Sequence, residues 1–152
     1  MLGAITMEME MKINHNGSAN WMGGLKDGRG EITTESGALS GHPYGFANRF
    51  EGVRGTNPEE LVGAAHAACF AMALSMMLGE AGFTAERLES RAVVTLEKQG
   101  EGFAVTASAL TLEARIPGID QATFDEVTAK AKAGCPISKL LNTAITLEAT
   151  LV

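Results

Sequence analysis

The chain has 152 residues, of which 45% are hydrophobic and 20% charged, and its formal net charge at pH 7 is −6. This balance is typical of a globular protein, and the length fits a single domain over residues 1–152 with a sizeable core. Lysines and arginines are few and scattered, so the chain lacks the basic patch that binding to nucleic acids or anionic membranes requires. Nucleic acids and membranes are therefore excluded as partners.

The N-terminal segment predicts a cytoplasmic protein. Met1–Thr6 has no basic residue and no apolar run long enough for a signal peptide. Two cysteines are too few for a disulfide scaffold, and thiols stay reduced in the cytoplasm. Methionines at positions 1, 7, 9 and 11 offer several start residues, so we expect about residues 1–8 to be a leader outside the fold.

The first predicted elements form a hairpin. Met9–Trp21 and Glu31–Glu35 carry short alternations of polar and apolar residues, and the glycine-rich segment Met22–Gly30 between them predicts the turn. Ser36–Gly55 contains Gly and Pro but little apolar periodicity. It predicts a long irregular connection, and connections of that length are commonly functional.

A long uncharged segment, Leu61–Leu78, follows. Its length reaches the lower limit for a membrane-spanning helix. Ala and Gly dominate it, however, it contains His66 and Ser75, and acidic residues flank it with no basic side. We therefore predict a helix buried on all sides within the protein, which begins with Asn57 as N-cap and Pro58 in the first turn.

The remaining elements alternate strands and helices. Arg91–Glu97 and Phe103–Glu113 alternate with period two and predict an antiparallel hairpin. A helix over Asp120–Ala133, a short helix over Ile137–Leu141 and a last strand over Ala144–Val152 complete the chain. The order strands, helix, strands, helix, strand predicts an α+β fold.

The two cysteines lie in different settings. Cys69 lies within the small-residue run of the long helix, whereas Cys135 follows the second predicted helix directly. A buried cysteine is usually an inert small hydrophobic residue. The residues alone leave two alternatives, namely two inert thiols, or one nucleophile that the other resolves.

Four segments, in chain order, carry a family resemblance: Pro43–Gly52 (PYGFANRFEG), Gly55–Leu61 (GTNPEEL), Gly63–Phe70 (GAAHAACF) and Cys135–Asn142 (CPISKLLN). Together they resemble the OsmC/Ohr family of peroxide-reducing proteins, over nearly the whole chain from about Met9 onward. His66 before Cys69, and the continuation after Ser138, are similar to the OsmC (osmotically inducible protein C) branch rather than the Ohr branch.

The resemblance implies a cysteine-based peroxidase that reduces organic hydroperoxides and hydrogen peroxide in oxidative and osmotic stress defence, without cofactor or metal. It matches Cys69 to the peroxidatic cysteine, Cys135 to the resolving cysteine, Arg49 to the activating arginine and Glu59 to its carboxylate partner. It also implies an OsmC-like fold in which antiparallel sheets wrap a long buried central helix, in an intertwined homodimer. The implied reductant is a dithiol, such as a lipoylated protein.

The chemistry of the residues agrees with these roles. Attack on a peroxide needs a thiolate, yet a free thiol has a pKa of about 8.5 and burial raises it. A fixed cation such as Arg49 can stabilise the thiolate, and Glu59 can orient the guanidinium of Arg49 through a bidentate pair. The sulfenic acid that forms on Cys69 then needs a nearby thiol, and Cys135 is the other one in the chain.

The spacing of Glu59 and Cys69 carries a further expectation. Ten residues on an unbroken helix separate Cα atoms by roughly 15 Å, so the two side chains cannot share one site within one helix. Either the helix bends at Gly63, or the carboxylate reaches a site shared with a second subunit. The second alternative favours a dimer, as does a helix that is apolar on every face.

Several alternatives stay open at this stage. His66 precedes Cys69 by one helical turn, so a Cys–His hydrolase or metal pair is conceivable, although packing or hydrogen bonding at the interface is favoured. Aromatic residues around the motifs either line an apolar pocket or fill the core: Tyr44, Phe46, Phe50 and Phe70. The main rival function is a non-catalytic dimeric binding module for a small apolar ligand.

Overall fold

The computed structural model describes residues 11–152. They form two units, of which the first ends at Thr56 and the second spans Asn57–Val152. The expected leader, about residues 1–8, and the start of the predicted strand Met9–Trp21 lie outside the described residues. That residues 1–152 form one domain stays a prediction.

The first unit contains a three-stranded antiparallel sheet in the order β1-β2-β3. Its strands are β1 (Gly17–Met22), β2 (Arg29–Thr34) and β3 (His42–Tyr44), and the short helix α1 (Phe46–Phe50) follows. The predicted hairpin of β1 and β2 is confirmed. The expectation of an irregular connection over Ser36–Gly55 is wrong in part, because β3 and α1 lie within it. Elements of three and five residues are too short to show a periodic pattern.

The second unit contains the long helix, a three-stranded sheet and two further helices. The order of these elements confirms the predicted α+β fold, with boundaries close to those expected. The elements are α2 (Pro58–Glu80), β4 (Arg87–Gln99), β5 (Gly102–Arg115), α3 (Gln121–Gly134), α4 (Pro136–Leu140) and β6 (Ala144–Leu151).

The sheet of the second unit is mixed rather than purely antiparallel, which corrects the expectation. Its order is β4-β5-β6, with β4 antiparallel and β6 parallel to the central strand β5. The chain returns from β5 to β6 through α3 and α4, and a crossover of that length allows parallel pairing. The central position of β5 explains why its residues Leu110, Leu112 and Ala114 are buried.

Helix α2 begins as the sequence predicts. The Asn57 side chain accepts a hydrogen bond of 2.8 Å from the backbone N–H of Glu60, and Pro58 occupies the first turn. By length and composition alone, with a mean hydropathy of 1.8, this helix could cross a membrane. Its buried residues nevertheless recur every four positions from His66 to Leu78, which is the pattern of a helix packed along one face.

The burial of α2 on all sides is not found in the single chain. Met72 and Met76 are 76% and 60% exposed, although they lie on the same helix as the fully buried Phe70 and Leu74. Within the second unit, the sheet, α3 and α4 pack against the face of α2 that carries Phe70 and Leu74. A second face of α2 is therefore apolar and exposed.

The core of the second unit lies between α2, β5 and α3, and it positions the cysteines. Phe70, Leu74 and Leu78 of α2 pack in one cluster with Phe124 of α3. Burying one such side chain contributes about 1.5–3 kcal/mol. The cluster extends to Cys135, at the point where α3 ends. The resolving cysteine expected from the sequence is thus part of the core.

Candidate active site

The structure brings the two cysteines together from distant parts of the sequence. Cys69 lies on α2, Cys135 joins α3 to α4, and their thiols lie close enough for each to shift the pKa of the other. Both are free thiols. Cys135 is fully buried, whereas Cys69 is partly exposed. A small molecule from solvent therefore meets Cys69 first.

The backbone of Cys135 is held from both neighbouring helices. Its N–H donates to the carbonyl of Ala131 at 3.0 Å, and its carbonyl accepts from the N–H of Lys139 at 3.1 Å. Pro136 begins α4 immediately after it. The main chain of Cys135 is therefore held at the junction of α3 and α4.

The surroundings of Cys69 oppose its ionisation. Burial raises the pKa of Cys69, and so does the hydrogen bond that it shares with Cys135. A hydrogen bond from the backbone of Ile137 acts in the opposite direction but is weaker. Within its own unit, Cys69 thus lacks the positive charge that a stable thiolate needs.

The surroundings of Cys135 have the opposite net effect. Burial opposes its ionisation. The hydrogen bond from Cys69 and several further hydrogen bonds together outweigh burial and lower the pKa of Cys135. Those further bonds come from the backbone and hydroxyl of Ser138 and from the backbone of Ile137. Groups of the second unit therefore favour a thiolate on Cys135 over one on Cys69.

His66 lies at the centre of a second buried polar group. Its Nδ1 is 2.7 Å from Ser108 Oγ on β5 and its Nε2 is 2.8 Å from Ser138 Oγ on α4. Burial lowers the pKa of His66, so the ring is neutral at pH 7. The predicted hydrogen-bonding role is found, but with partners in the same chain. A Cys–His pair is not formed, because each ring nitrogen faces a serine hydroxyl.

The sequence pattern does not identify the two serines as site residues. Ser108 is a polar residue at a fully buried position of β5, and such a residue requires a hydrogen-bond partner. That signal points to a buried polar cluster but not to its members. Within residues 11–152, no group of three or more His, Cys, Asp and Glu residues is arranged to hold a metal ion.

Arg49 lies on α1 in the first unit, beside an apolar cavity of about 270 Å³. The guanidinium carbon is 5.4 Å from the centre of the Phe50 ring. The other residues that line the cavity are mainly apolar and aromatic: Trp21, Leu25, Tyr44, Gly45, Phe46 and Phe50. Three of the four undecided aromatic residues therefore line a pocket, whereas Phe70 fills the core of the second unit.

Glu59 lies in the first turn of α2. The helix is continuous from Pro58 to Glu80, and the ten residues between Glu59 and Cys69 correspond to roughly 15 Å along a helix axis. At Gly63 the helix approaches β4 so closely that an added Cβ would lie 3.0 Å from the carbonyl oxygen of Ala92. Within the second unit, the structure thus brings together the two cysteines, whereas Glu59 does not lie beside Cys69.

Comparison with known proteins shows which family the chain belongs to. The family model described as OsmC-like protein matches residues 50–150. The chain is 57% identical over 138 residues to Peroxiredoxin OsmC of Escherichia coli K12, which covers 91% of this chain and 96% of that protein. It is 30% identical over 111 residues to Organic hydroperoxide resistance protein OhrB of Bacillus subtilis, over 72% of this chain and 79% of that protein.

Solved structures show the same fold. The crystal structure of Bacillus subtilis OhrB superposes with a TM-score of 0.66 at 29% identity and covers 89% of this chain and 98% of that one. An OsmC-like protein of unknown function from Vibrio cholerae superposes with a TM-score of 0.72 at 17% identity, over 91% and 100% of the two chains. The chain belongs to the OsmC-like protein family, on the OsmC rather than the Ohr side.

Proposed function

We propose that the protein is a thiol-dependent peroxidase that acts in organic hydroperoxide resistance, with Cys69 as attacking and Cys135 as resolving thiol. The observation that carries this proposal is the pair of neighbouring free thiols, one partly exposed and one buried. The names of the relatives support the reaction, because one is a peroxiredoxin and the other an organic hydroperoxide resistance protein.

The catalytic cycle has three steps. The Cys69 thiolate attacks a peroxide oxygen, so that an S–O bond forms, the O–O bond breaks and the leaving oxygen takes up a proton to give an alcohol. Cys135 then attacks the sulfenic sulfur, and a disulfide and water result. A dithiol returns both cysteines to thiols by exchange and is itself oxidised to a disulfide.

Arg49 is the proposed source of the positive charge that Cys69 needs. A guanidinium cannot deprotonate and can hold both a thiolate and a polarised peroxide oxygen. The apolar cavity beside Arg49 has the character that the alkyl part of an organic hydroperoxide requires. Glu59 is the proposed carboxylate that orients the guanidinium.

A homodimer is part of the proposal. The apolar face of α2 that carries Met72 and Met76 is exposed in the single chain, and no Asp, Glu, Lys or Arg occurs from Leu61 to Leu78. An apolar helix face of this kind is unfavourable in water, and a second copy can cover it. In a dimer, Glu59 of one subunit can act at a site shared with the other subunit, although it lies far from Cys69 of its own subunit. We place this dimer in the cytoplasm, where dithiol reductants keep its cysteines reduced.

Steady-state turnover tests the proposal. Purified protein is incubated with a tertiary alkyl hydroperoxide, an aryl hydroperoxide or hydrogen peroxide as the oxidant. The reductant is dithiothreitol, dihydrolipoamide or a monothiol. We expect organic hydroperoxides to be consumed faster than hydrogen peroxide, and dithiols to support turnover better than a monothiol. The rival binding module predicts that peroxide leaves the number of titratable thiols unchanged, and that result would overturn the proposal.

A further inference from the structure

His66 connects three elements of the second unit through one buried ring. Its Nδ1 lies 2.7 Å from Ser108 Oγ on β5, and its Nε2 lies 2.8 Å from Ser138 Oγ on α4. His66 and Ser108 are completely buried, and Ser138 is 9% exposed. Both ring nitrogens are therefore occupied, and a turn of the ring would leave buried polar groups unpaired. The three-step cycle gives none of these three residues a role.

The bond between His66 and Ser138 runs beside the two thiols. His66 precedes Cys69 by three residues on α2, and Ser138 follows Cys135, the N-cap of α4, by three residues. Residues three apart on a helix are neighbours on its surface. The two elements that carry the thiols are therefore also joined by a hydrogen bond, about one helical turn away from the thiols.

Helix α4 depends on contacts of this kind. It has five residues, and so short a helix is stable only where other elements hold it. Ile137 packs against the core, and Ser138 bonds to His66. The carbonyl of Cys135 accepts from the N–H of Lys139, so Cys135 belongs to the same helical turn. A shift of α4 away from α2 would therefore carry Cys135 with it.

We propose that His66 and Ser138 are positioning residues for disulfide formation, because their hydrogen bond holds α4, and with it Cys135, beside α2 and Cys69. The proposal rests on the proposed function in treating the two cysteines as a redox pair. A thiol that is already held beside its partner loses less freedom when the disulfide forms. Without the hydrogen bond, α4 gains more freedom in the reduced protein than in the oxidised protein, where the disulfide itself restrains it. Loss of the bond should therefore favour the reduced protein.

The equilibrium between thiols and disulfide measures this effect without any peroxide. In glutathione buffers, glutathione disulfide takes two electrons and two protons from Cys69 and Cys135, which yields two glutathione molecules and the protein disulfide. Alkylation and mass spectrometry give the disulfide fraction at each ratio of the two forms of glutathione. Ser138→Ala should lower the equilibrium constant about fivefold, which corresponds to the typical contribution of one hydrogen bond.

Ser90→Ala is the matched control. The Ser90 hydroxyl donates to the carbonyl of Ala67 on α2 at 2.7 Å, so this variant also removes a serine hydrogen bond to the same helix but does not alter α4. It should keep the wild-type equilibrium constant. The alternative is that α3 alone positions Cys135, through the carbonyl of Ala131. Equal constants in wild type and Ser138→Ala, or an equal fall in both variants, would overturn the proposal.

Two substitutions of His66 separate its link to α4 from its link to β5. The amide group of glutamine reaches about as far along the side chain as Nε2, and that of asparagine about as far as Nδ1, and both amides donate and accept hydrogen bonds. His66→Gln can therefore keep the bond to Ser138, whereas His66→Asn can keep the bond to Ser108 instead. We expect a near wild-type equilibrium constant in His66→Gln and a fall of about fivefold in His66→Asn. Equal constants in the two variants, or a larger fall in His66→Gln, would contradict the positioning role.

The kinetic consequence is tested by quench-flow mass spectrometry after one equivalent of organic hydroperoxide. In the resolving step the Cys135 sulfur bonds to the sulfenic sulfur of Cys69, the S–O bond breaks, and the leaving hydroxide takes up the thiol proton to give water. Ser138→Ala should form the sulfenic acid at the wild-type rate and convert it to disulfide about fivefold more slowly. Slowing of both steps by the same factor would indicate structural damage and contradict the positioning role. Failure of the wild-type protein to form a sulfenic acid would instead refute the proposed function, while the glutathione equilibrium would still decide the positioning role.

Discussion

Cys69 and Cys135 carry the same thiol group but lie in different surroundings. Cys69 is partly exposed and its pKa is raised by burial, whereas Cys135 is buried and its pKa is lowered by the hydrogen bonds it accepts. Accessibility favours Cys69 as the attacking thiol, and local hydrogen bonding favours Cys135 as the thiolate. Cys69 can therefore be the attacking thiolate only if a cation lowers its pKa.

Substitution of each cysteine separates their roles. Cys69→Ser should abolish peroxide turnover, because a serine hydroxyl without a strong adjacent base is a poor nucleophile. Cys135→Ser should retain the first attack but overoxidise at Cys69, since no internal thiol traps the sulfenic acid. Mass spectrometry of peroxide-treated protein detects sulfinic and sulfonic acids on the Cys69 peptide. The roles are reversed if Cys69→Ser still consumes peroxide.

The proposed cation is tested at Arg49. Arg49→Ala should raise the pKa of Cys69 and slow peroxide reduction by at least about tenfold, because the thiolate loses its fixed positive charge. Arg49→Lys should restore little of the rate, since an ammonium cannot hold sulfur, carboxylate and peroxide oxygen in one plane. Alkylation of Cys69 over a pH series, in the Cys135→Ser background, measures the pKa. An unchanged alkylation profile in Arg49→Ala would rule this role out.

His66 gives the folded protein a pH dependence of its own. Burial lowers its pKa from 6.5, so below pH 6.5 the unfolded chain binds a proton that the folded chain does not. Stability is therefore full above about pH 6.5 and falls as the pH drops from there through the folded pKa, by at most about 1.4 kcal/mol per pH unit. Urea unfolding at pH 7.5 and 5.5 measures this loss. His66→Gln should reduce the difference between the two pH values, and an identical difference would contradict the assignment.

Sequence motifs identify the two cysteines but not the buried hydrogen-bonded group of Ser108, His66 and Ser138. Cys69 and Cys135 stand in recognisable motifs, so their pairing was expected before any geometry. Ser108 lies in a strand with ordinary alternation, and its link to His66 depends on how α2 crosses the sheet. Contacts of that kind arise from tertiary packing and leave no local signal in the sequence.

At the scale of elements, capping and periodicity account for most of the fold. The Asn57 cap predicted the start of α2, and period-two alternation predicted the hairpin of β4 and β5. Neither signal reports the direction of β6, because strand pairing depends on the path of the crossover through α3 and α4. Nor does the apolar character of α2 reveal that one chain buries only one of its faces.

The central strand β5 should dominate stability within the second unit. Leu110→Ala removes a side chain that is 1% exposed, and should lower the free energy of unfolding by about 2–5 kcal/mol. Leu140→Ala makes the same chemical change at a position that is 73% exposed, and should cost less than about 1 kcal/mol. Urea denaturation followed by circular dichroism compares them. Equal losses would show that β5 does not form the core.

For the whole molecule, the exposed face of α2 makes a prediction about assembly. Met72→Glu places a charge in the proposed dimer interface, and twofold symmetry introduces it twice, so the variant should be monomeric at micromolar concentration. Met72→Leu, which keeps the face apolar, should remain dimeric and serves as the control. Light scattering and sedimentation velocity measure the mass. A wild-type protein that stays monomeric at every concentration, or a Met72→Glu variant as dimeric as wild type, would show that a second copy does not cover this face.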